Sequence, residues 1–392
     1  MMDLFSYFKD ILPQIIRYRL MRFGINVSFR PIVLTFSVTN RCQSHCLTCK
    51  IWELYQKHPE RIKEELNIDE IKKIFQAMPH IFFFNISGGE PFLREDLVEI
   101  IKLACRYLTP GIIHIPTNAL LSKRIEEMTD RIAQAVYDYN PDVPLTIKPS
   151  IDGIGEDHDR IRGVKGNFEK LIETIERLKK LEKKHSNLHL ELGTVVSMAN
   201  IDDLDKISDF VHGLGVESYR NEIAEQREEF FNINDPITPT PDVYKQLMEN
   251  FSKKIRKNIF NKRDLAKITE SLRLVYYDLA ARTLMMKEQV IPCYAGISNI
   301  HLTPYGDIWS CCVLGYTKPM GNLRETNYDF NKIWHSSQAQ EVRRYIADGN
   351  CYCPLANQMY SNILCNVPST IKGFLNILYF RFYHYFKRNK AE

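Results

Sequence analysis

Between residues 33 and 221 short β-rich runs alternate with longer amphipathic stretches of helical period, the pattern of βα units that build a parallel sheet. Six runs read as strands: VLTFSVT (33–39), IFFFNIS (81–87), IIHIPT (112–117), LTIKPSID (145–152), LELGTVVS (190–197) and ESYRN (217–221). Between them the spacing predicts helices over Ile68–Met78, Glu95–Tyr107, Lys123–Tyr139, Phe168–Lys184 and Asp202–His212. Six units are too few to close an eight-fold barrel, so the expected fold is α/β, an open partial (β/α)6 barrel over residues 31–221.

Beyond the sixth strand the chain turns polar and helical over 222–290, with breaks at Asp235-Pro236 and Thr238–Pro241, and reads as a helical bridge. From 291 to 365 cysteines and turn residues dominate, and Thr303-Pro304-Tyr305-Gly306-Asp307 reads as a hairpin turn between short strands. The ends differ again. In residues 1–30, Leu4, Phe8, Ile11, Leu12 and Ile15 follow helical spacing beside Lys9, Arg17, Arg19 and Arg22. In residues 366–392 aromatic and aliphatic side chains from Phe374 to Phe386 interleave with Lys372, Arg381, Lys387 and Arg388. Two readings stay open for these ends: helices packed on their own domain, or segments making peripheral contact with a membrane surface.

A chain of 392 residues with 44% hydrophobic and 26% charged positions buries a sizeable core, enough for one large domain and a smaller one. The formal net charge is only +4, and the positive excess sits at the two ends, so no nucleic-acid partner is expected. No uninterrupted apolar run is long enough to span a bilayer, and the N-terminus carries no signal-peptide pattern. The ten cysteines therefore read as reduced thiols of a cytoplasmic protein, available for metal rather than for disulfides. Three fall within residues 42–49 and six between 293 and 365, while Cys105 sits in an apolar helical pattern as a core residue.

In parallel α/β folds chemistry collects at the carboxyl ends of the strands, and the unusual residues fall there. Cys42, Cys46 and Cys49 follow the first strand, Gly88-Gly89-Glu90-Pro91 the second, Thr117-Asn118 the third and Asp152-Gly153 the fourth. Cys42-x3-Cys46-x2-Cys49 puts three thiolates on one loop. Iron–sulfur clusters and structural zinc usually take four ligands, so a triplet leaves one metal corner open; His45 could instead complete a zinc site. Gly88 and Gly89, lacking Cβ atoms, permit close backbone approach to a ligand, and Glu90 offers an acceptor for an ammonium group.

This spacing, with Asn40-Arg41 before it and Gly88-Gly89-Glu90-Pro91 after the second strand, resembles the radical S-adenosylmethionine superfamily. The resemblance implies a [4Fe–4S] cluster on Cys42, Cys46 and Cys49 whose fourth iron is chelated by S-adenosylmethionine, and reductive cleavage to a 5′-deoxyadenosyl radical that abstracts hydrogen from a substrate. It further implies cofactor binding by Gly88, Gly89 and Glu90 at the methionyl amine, and by Asn118, Ser150 and Arg162; an alternative reading pairs Arg162 with Asp157 or Asp159 at the surface. Asn200 is a looser match. The residue before the third cysteine is often aromatic in the family and here is Thr48, so Trp52 either covers the adenine or belongs to the core.

Cys293, Gly306 and Cys311, with Cys351-x-Cys353 later, resemble the SPASM and Twitch branches, implying a C-terminal cysteine-rich auxiliary-cluster domain over 291–365. The full SPASM pattern supplies seven cysteines, and the later spacing here departs from it. One auxiliary [4Fe–4S] cluster is expected, on Cys293, Cys311, Cys351 and Cys353, with Cys365 as the alternative ligand and one thiol of the Cys311-Cys312 doublet to spare; zinc suits four thiolates equally well. The expected activity is that of an oxidoreductase on a peptide or lipid-type substrate, with a reductant such as ferredoxin or flavodoxin. The competing expectation is a zinc-stabilised cysteine-rich binding protein without catalysis.

Overall fold

The computed structural model describes residues 4–23, 25, 27–216, 218–258 and 264–376. The aromatic and basic tail positions from Ile377 to Arg388 lie outside the described residues. The chain divides into two compact units, one of Met1–Gln14, Ser28–Thr238 and Ala295–Arg344, the other of Ile15–Val27, Pro239–Tyr294 and Tyr345–Glu392.

The first unit holds β1 (Val33–Ser37), β2 (Phe83–Ser87), β3 (Ile112–Thr117), β4 (Leu145–Pro149), β5 (Leu188–Val196) and β6 (Ser218–Ile223), all parallel and neighbours in chain order. Helices Ile68–Ala77, Leu97–Tyr107, Ser122–Tyr139, Asn167–Lys184 and Leu204–Gly213 connect them as a partial barrel. The strands alternate because one face packs against these helices: Phe84, Ile86, Ile113, Ile115, Leu145 and Ile147 are all buried. The other face carries charge. Lys148 of β4 pairs with Glu222 of β6 at 3.2 Å, Arg220 of β6 with Glu191 of β5 at 3.1 Å, and His114 of β3 lies 3.8 Å from Glu191. Burial, then Lys148 and Arg220, push the His114 imidazole down to about 3, so it is held neutral.

Helix Ile68–Ala77 starts where Asn67 Oδ1 accepts from the backbone N–H of Asp69 and Glu70, while the Glu70 carboxylate accepts from Asn67 N at 2.9 Å. Three further strands, β7 (Asn299–Leu302), β8 (Asp307–Trp309) and β9 (Gly321–Asn322), continue the sheet, with β7 parallel to β1 and β8 antiparallel to both β7 and β9. The expected hairpin turn joins β7 to β8, with Gly306 at φ +91°.

In the second unit helix Asp264–Met286 packs against helices Pro241–Asn258 and Ala356–Cys365. Its core includes the buried Tyr244, Tyr276 and Tyr277 and an ion pair between Arg273 and Glu270 at 3.1 Å. The N-terminal amphipathic segment forms helix Leu4–Arg22. Two of its cations hold carbonyls of their own chain: Arg19 Nε donates to Cys365 O at 2.7 Å and Arg22 Nη1 to Cys293 O at 2.6 Å. Among the described residues no helix is long and apolar enough to cross a membrane.

Candidate active site

The cysteine loop leaves β1 and is fixed by hydrogen bonds from three sides. Gly89 N donates to Thr39 O at 2.8 Å and Glu90 N to Arg41 O at 2.7 Å. A Cβ on Gly88 would lie 2.1 Å from Thr39 O and one on Gly89 2.1 Å from Arg41 O. The missing side chains thus admit the cysteine loop's own backbone. On a second side Arg94, buried, donates to Val38 O at 2.9 Å and Leu66 O at 2.6 Å, and Glu65 Oε1 accepts from Thr39 Oγ1, Asn40 N and Tyr55 Oη. On a third, His45 N donates to Arg162 O at 3.0 Å, and Gly163, at φ +69°, leaves room where a Cβ would be 2.2 Å from His45 O. Asn232 Nδ2 donates to Thr48 O at 2.8 Å, and Lys50 N to Phe230 O at 2.9 Å.

Burial pushes the Cys42 thiol up to about 11, with Cys46 adding to it, and burial likewise raises Cys46 and Cys49. The opposing cation is Arg162. Its guanidinium is buried, with Nη1 donating to Asp152 Oδ2 at 3.1 Å and Nε buried without a hydrogen-bond partner. Burial disfavours its charge, but Cys46, Asp152 and Cys42 outweigh that and hold it protonated. The surface-pairing alternative belongs to its neighbour: Arg160, not Arg162, pairs with Asp157.

Asn118 Nδ2 lies 3.7 Å from Cys42 Sγ. Glu90 accepts from Asn118 N at 2.6 Å, Thr117 Oγ1 at 2.9 Å and Phe92 N at 3.2 Å, and burial raises its carboxyl to about 7 against these donors. It ties the ends of β2 and β3 together beside the cysteines. Ser150 continues β4, its N–H donating to Thr117 O at 3.0 Å. Asn200 spends its side chain on Asp152 O, Val195 O and Ser197 N and so shapes the loop after β5. Trp52 packs on His45, ring centroids 4.4 Å apart, and its indole N–H is buried without an acceptor.

Glu65, Arg94 and Arg227 were not legible as site residues from the sequence. Arg227 is half-buried, donates to Cys312 Sγ and faces Glu225 and Glu229; burial alone would lower it, but Cys312, these two acids and Cys49 hold it charged. Its only sequence signal is a cation among acids in a segment read as a bridge.

Three mutually interacting thiols on one loop, with no fourth cysteine there and a buried cation whose Nε is unmatched, suit a cube-shaped iron–sulfur cluster with an open corner. Among the described residues no three His, Cys, Asp or Glu side chains are placed to hold a single metal ion. A Radical SAM superfamily model matches residues 36–211, and a SPASM iron–sulfur cluster-binding domain model matches 293–354. The chain belongs to the radical SAM superfamily. It is a radical SAM enzyme of the SPASM branch, whose cofactors are a [4Fe–4S] cluster, S-adenosylmethionine and auxiliary iron–sulfur chemistry.

Among relatives, the antilisterial bacteriocin subtilosin biosynthesis protein AlbA of Bacillus subtilis is 21% identical over 86% of this chain and 69% of its own length. The AdoMet-dependent heme synthase of Methanosarcina barkeri is 23% identical over 81% of this chain and 85% of its own. Among solved structures, anSMEcpe with bound AdoMet and the Kp18Cys peptide superposes with a TM-score of 0.56 at 15% identity, covering 80% of this chain and 83% of that one. This likeness establishes the shared fold of a parallel partial barrel followed by a cysteine-bearing C-terminal region.

The second cysteine group is distributed between the units. In the second unit Gln289 brackets two of them: Cys293 N donates to Gln289 Oε1 at 3.3 Å, while Gln289 Nε2 donates to Cys351 O at 3.0 Å and lies 3.9 Å from Cys351 Sγ. Burial and then the neighbouring Cys293 push Cys351 up to about 11. Cys353 belongs to the same unit, and Cys365 ends helix Ala356–Cys365, buried and raised to about 12 by that burial. Cys311 and Cys312 follow β8 in the first unit.

Proposed function

We propose that this enzyme modifies a peptide by hydrogen-atom abstraction. In this reading Cys42, Cys46 and Cys49 hold the radical-forming cluster, and Gly88, Gly89, Glu90, Asn118, Ser150 and Arg162 form the S-adenosylmethionine site. Cys293, Cys311, Cys351 and Cys353 supply the auxiliary cluster. When bound, cluster and S-adenosylmethionine supply a 5′-deoxyadenosyl radical. The protein's own part is position and charge. Arg162 balances the thiolates and offers its unmatched Nε as a donor to a carboxylate, Asn118 orients at Cys42, and Glu90 locks two strand ends around the open corner.

The observation that carries the reading is the cysteine triplet clasped by Gly88–Gly89 and Arg162. The choice of a peptide over a lipid-type substrate draws on AlbA's role in making a bacteriocin and on the peptide bound by anSMEcpe. Comparison of peptides and lipids between a strain lacking this protein and its parent tests it. A peptide whose mass changes only in the parent is expected, and a change confined to lipids overturns the peptide substrate.

A further inference from the structure

A cavity of about 160 Å3 lies at the carboxyl ends of β1 and β7. Ser37, which ends β1, and Asn40, two positions before Cys42, line it, so it adjoins the loop proposed to hold the radical-forming cluster. Trp309 and Tyr316 form an aromatic wall, their centroids 5.0 Å apart, and the His301 ring sits 5.2 Å from Trp309.

This wall is built to stay in place. His301 Nε2 is hydrogen-bonded to Ser37 Oγ at 2.8 Å, and Asn40 Nδ2 donates to Tyr305 Oη at 3.3 Å. The Gly315 backbone lies so close to the indole that a Cβ there would be 2.1 Å from Trp309 Cδ2. Glu229 supplies the acid. Only 7% exposed, it pairs through Oε2 with Arg227 Nη1 at 3.3 Å.

Size and chemistry restrict the occupant. A cavity of about 150 Å3 admits one benzene ring, so the space here matches a single aromatic ring. Its aliphatic lining is limited to Pro304 and Pro319 among polar and aromatic side chains, which suits an acyl chain poorly. It offers ring faces, an imidazole, the Arg61 guanidinium and the carboxylates of Glu229 and Asp307, which match an aromatic ring bearing an N–H or O–H donor. Resting on the peptide-modifying reading above, we propose that this cavity is the substrate subsite for one tyrosine, tryptophan or histidine side chain of the peptide.

The test uses the full chain, reconstituted anaerobically and supplied with S-adenosylmethionine, with N-acetyltyrosinamide, N-acetylleucinamide and octanoate as probes followed by ligand-observed NMR. The tyrosine probe is expected to bind about tenfold more tightly than the other two, since only its ring can stack on Trp309 and Tyr316 while its hydroxyl donates to a lining carboxylate. Glu229→Gln and Gly315→Ala, the first altering the acceptor and the second displacing Trp309, should each remove that preference. Equal affinities for the three probes, tighter binding of octanoate, or a preference unchanged in both variants overturns the subsite. Release of 5′-deoxyadenosine without substrate is followed in the same samples. Where that release persists and the preference is absent, the subsite falls and the radical S-adenosylmethionine reading stands.

Discussion

Arg162 stands between two demands: it balances the thiols of Cys42 and Cys46, and it is the ion-pair partner of the buried Asp152. Arg162→Ala leaves Asp152 buried without its partner, an arrangement that costs about 3–5 kcal/mol. Denaturant unfolding of the full chain should show a loss of that order, and 5′-deoxyadenosine formation should fall with it. Gly89→Ala tests the clasp instead of the charge. Its Cβ would meet the Arg41 carbonyl at 2.1 Å, and backbone on both sides leaves little room to adjust. The expected outcome is a folded chain that retains less iron at the first site after reconstitution, read by iron analysis and cluster absorbance. Full loading would show that the loop does not depend on this approach. The cysteines and glycines were legible because their spacing is local. Glu65, Arg94 and Arg227 were not, because each acts on the loop across the fold with no local pattern of its own.

At the scale of elements, the six barrel strands were legible within a few residues, since alternation of apolar positions follows directly from a sheet covered by helices on one face. The parallel pairing of β7 with β1 was not, because periodicity reports a strand and not its distant partner. Nor did the alternation announce that the second face holds the cluster of His114, Lys148, Glu191, Arg220 and Glu222, whose charges compensate only once the strands are adjacent. His114 gives this face a pH dependence. Its folded value, about 3, lies below the ordinary 6.5, so its contribution is complete above about pH 6.5 and is lost as pH falls toward 3. The attraction of Glu191 and Glu222 for a protonated ring is outweighed by burial, Lys148 and Arg220. Melting temperature against pH should therefore fall less steeply below 6.5 in His114→Gln than in the parent, and identical slopes would contradict this. Asn67→Ala should cost about 1 kcal/mol through loss of the cap on helix Ile68–Ala77, measured by denaturant unfolding.

For the whole molecule, the barrel and the C-terminal cysteine region match separate family models, over residues 36–211 and 293–354. The proposed assignment of two [4Fe–4S] clusters requires about eight irons per chain after anaerobic reconstitution. Cys46→Ala should reduce this to about four by removing the first site alone. The sequence could not reveal the substrate because the residues that make the radical need not be those that face what it attacks; Trp309, Tyr316 and Glu229, which line the proposed subsite, come together only in the folded chain. The central claim rests on the open corner of the first cluster, and the direct measurement is 5′-deoxyadenosine formed from S-adenosylmethionine by the reduced, reconstituted chain and by Cys46→Ala. The account predicts product from the parent and none from the variant, whose auxiliary-cluster signal persists. A colourless protein carrying stoichiometric zinc and forming no 5′-deoxyadenosine would contradict it.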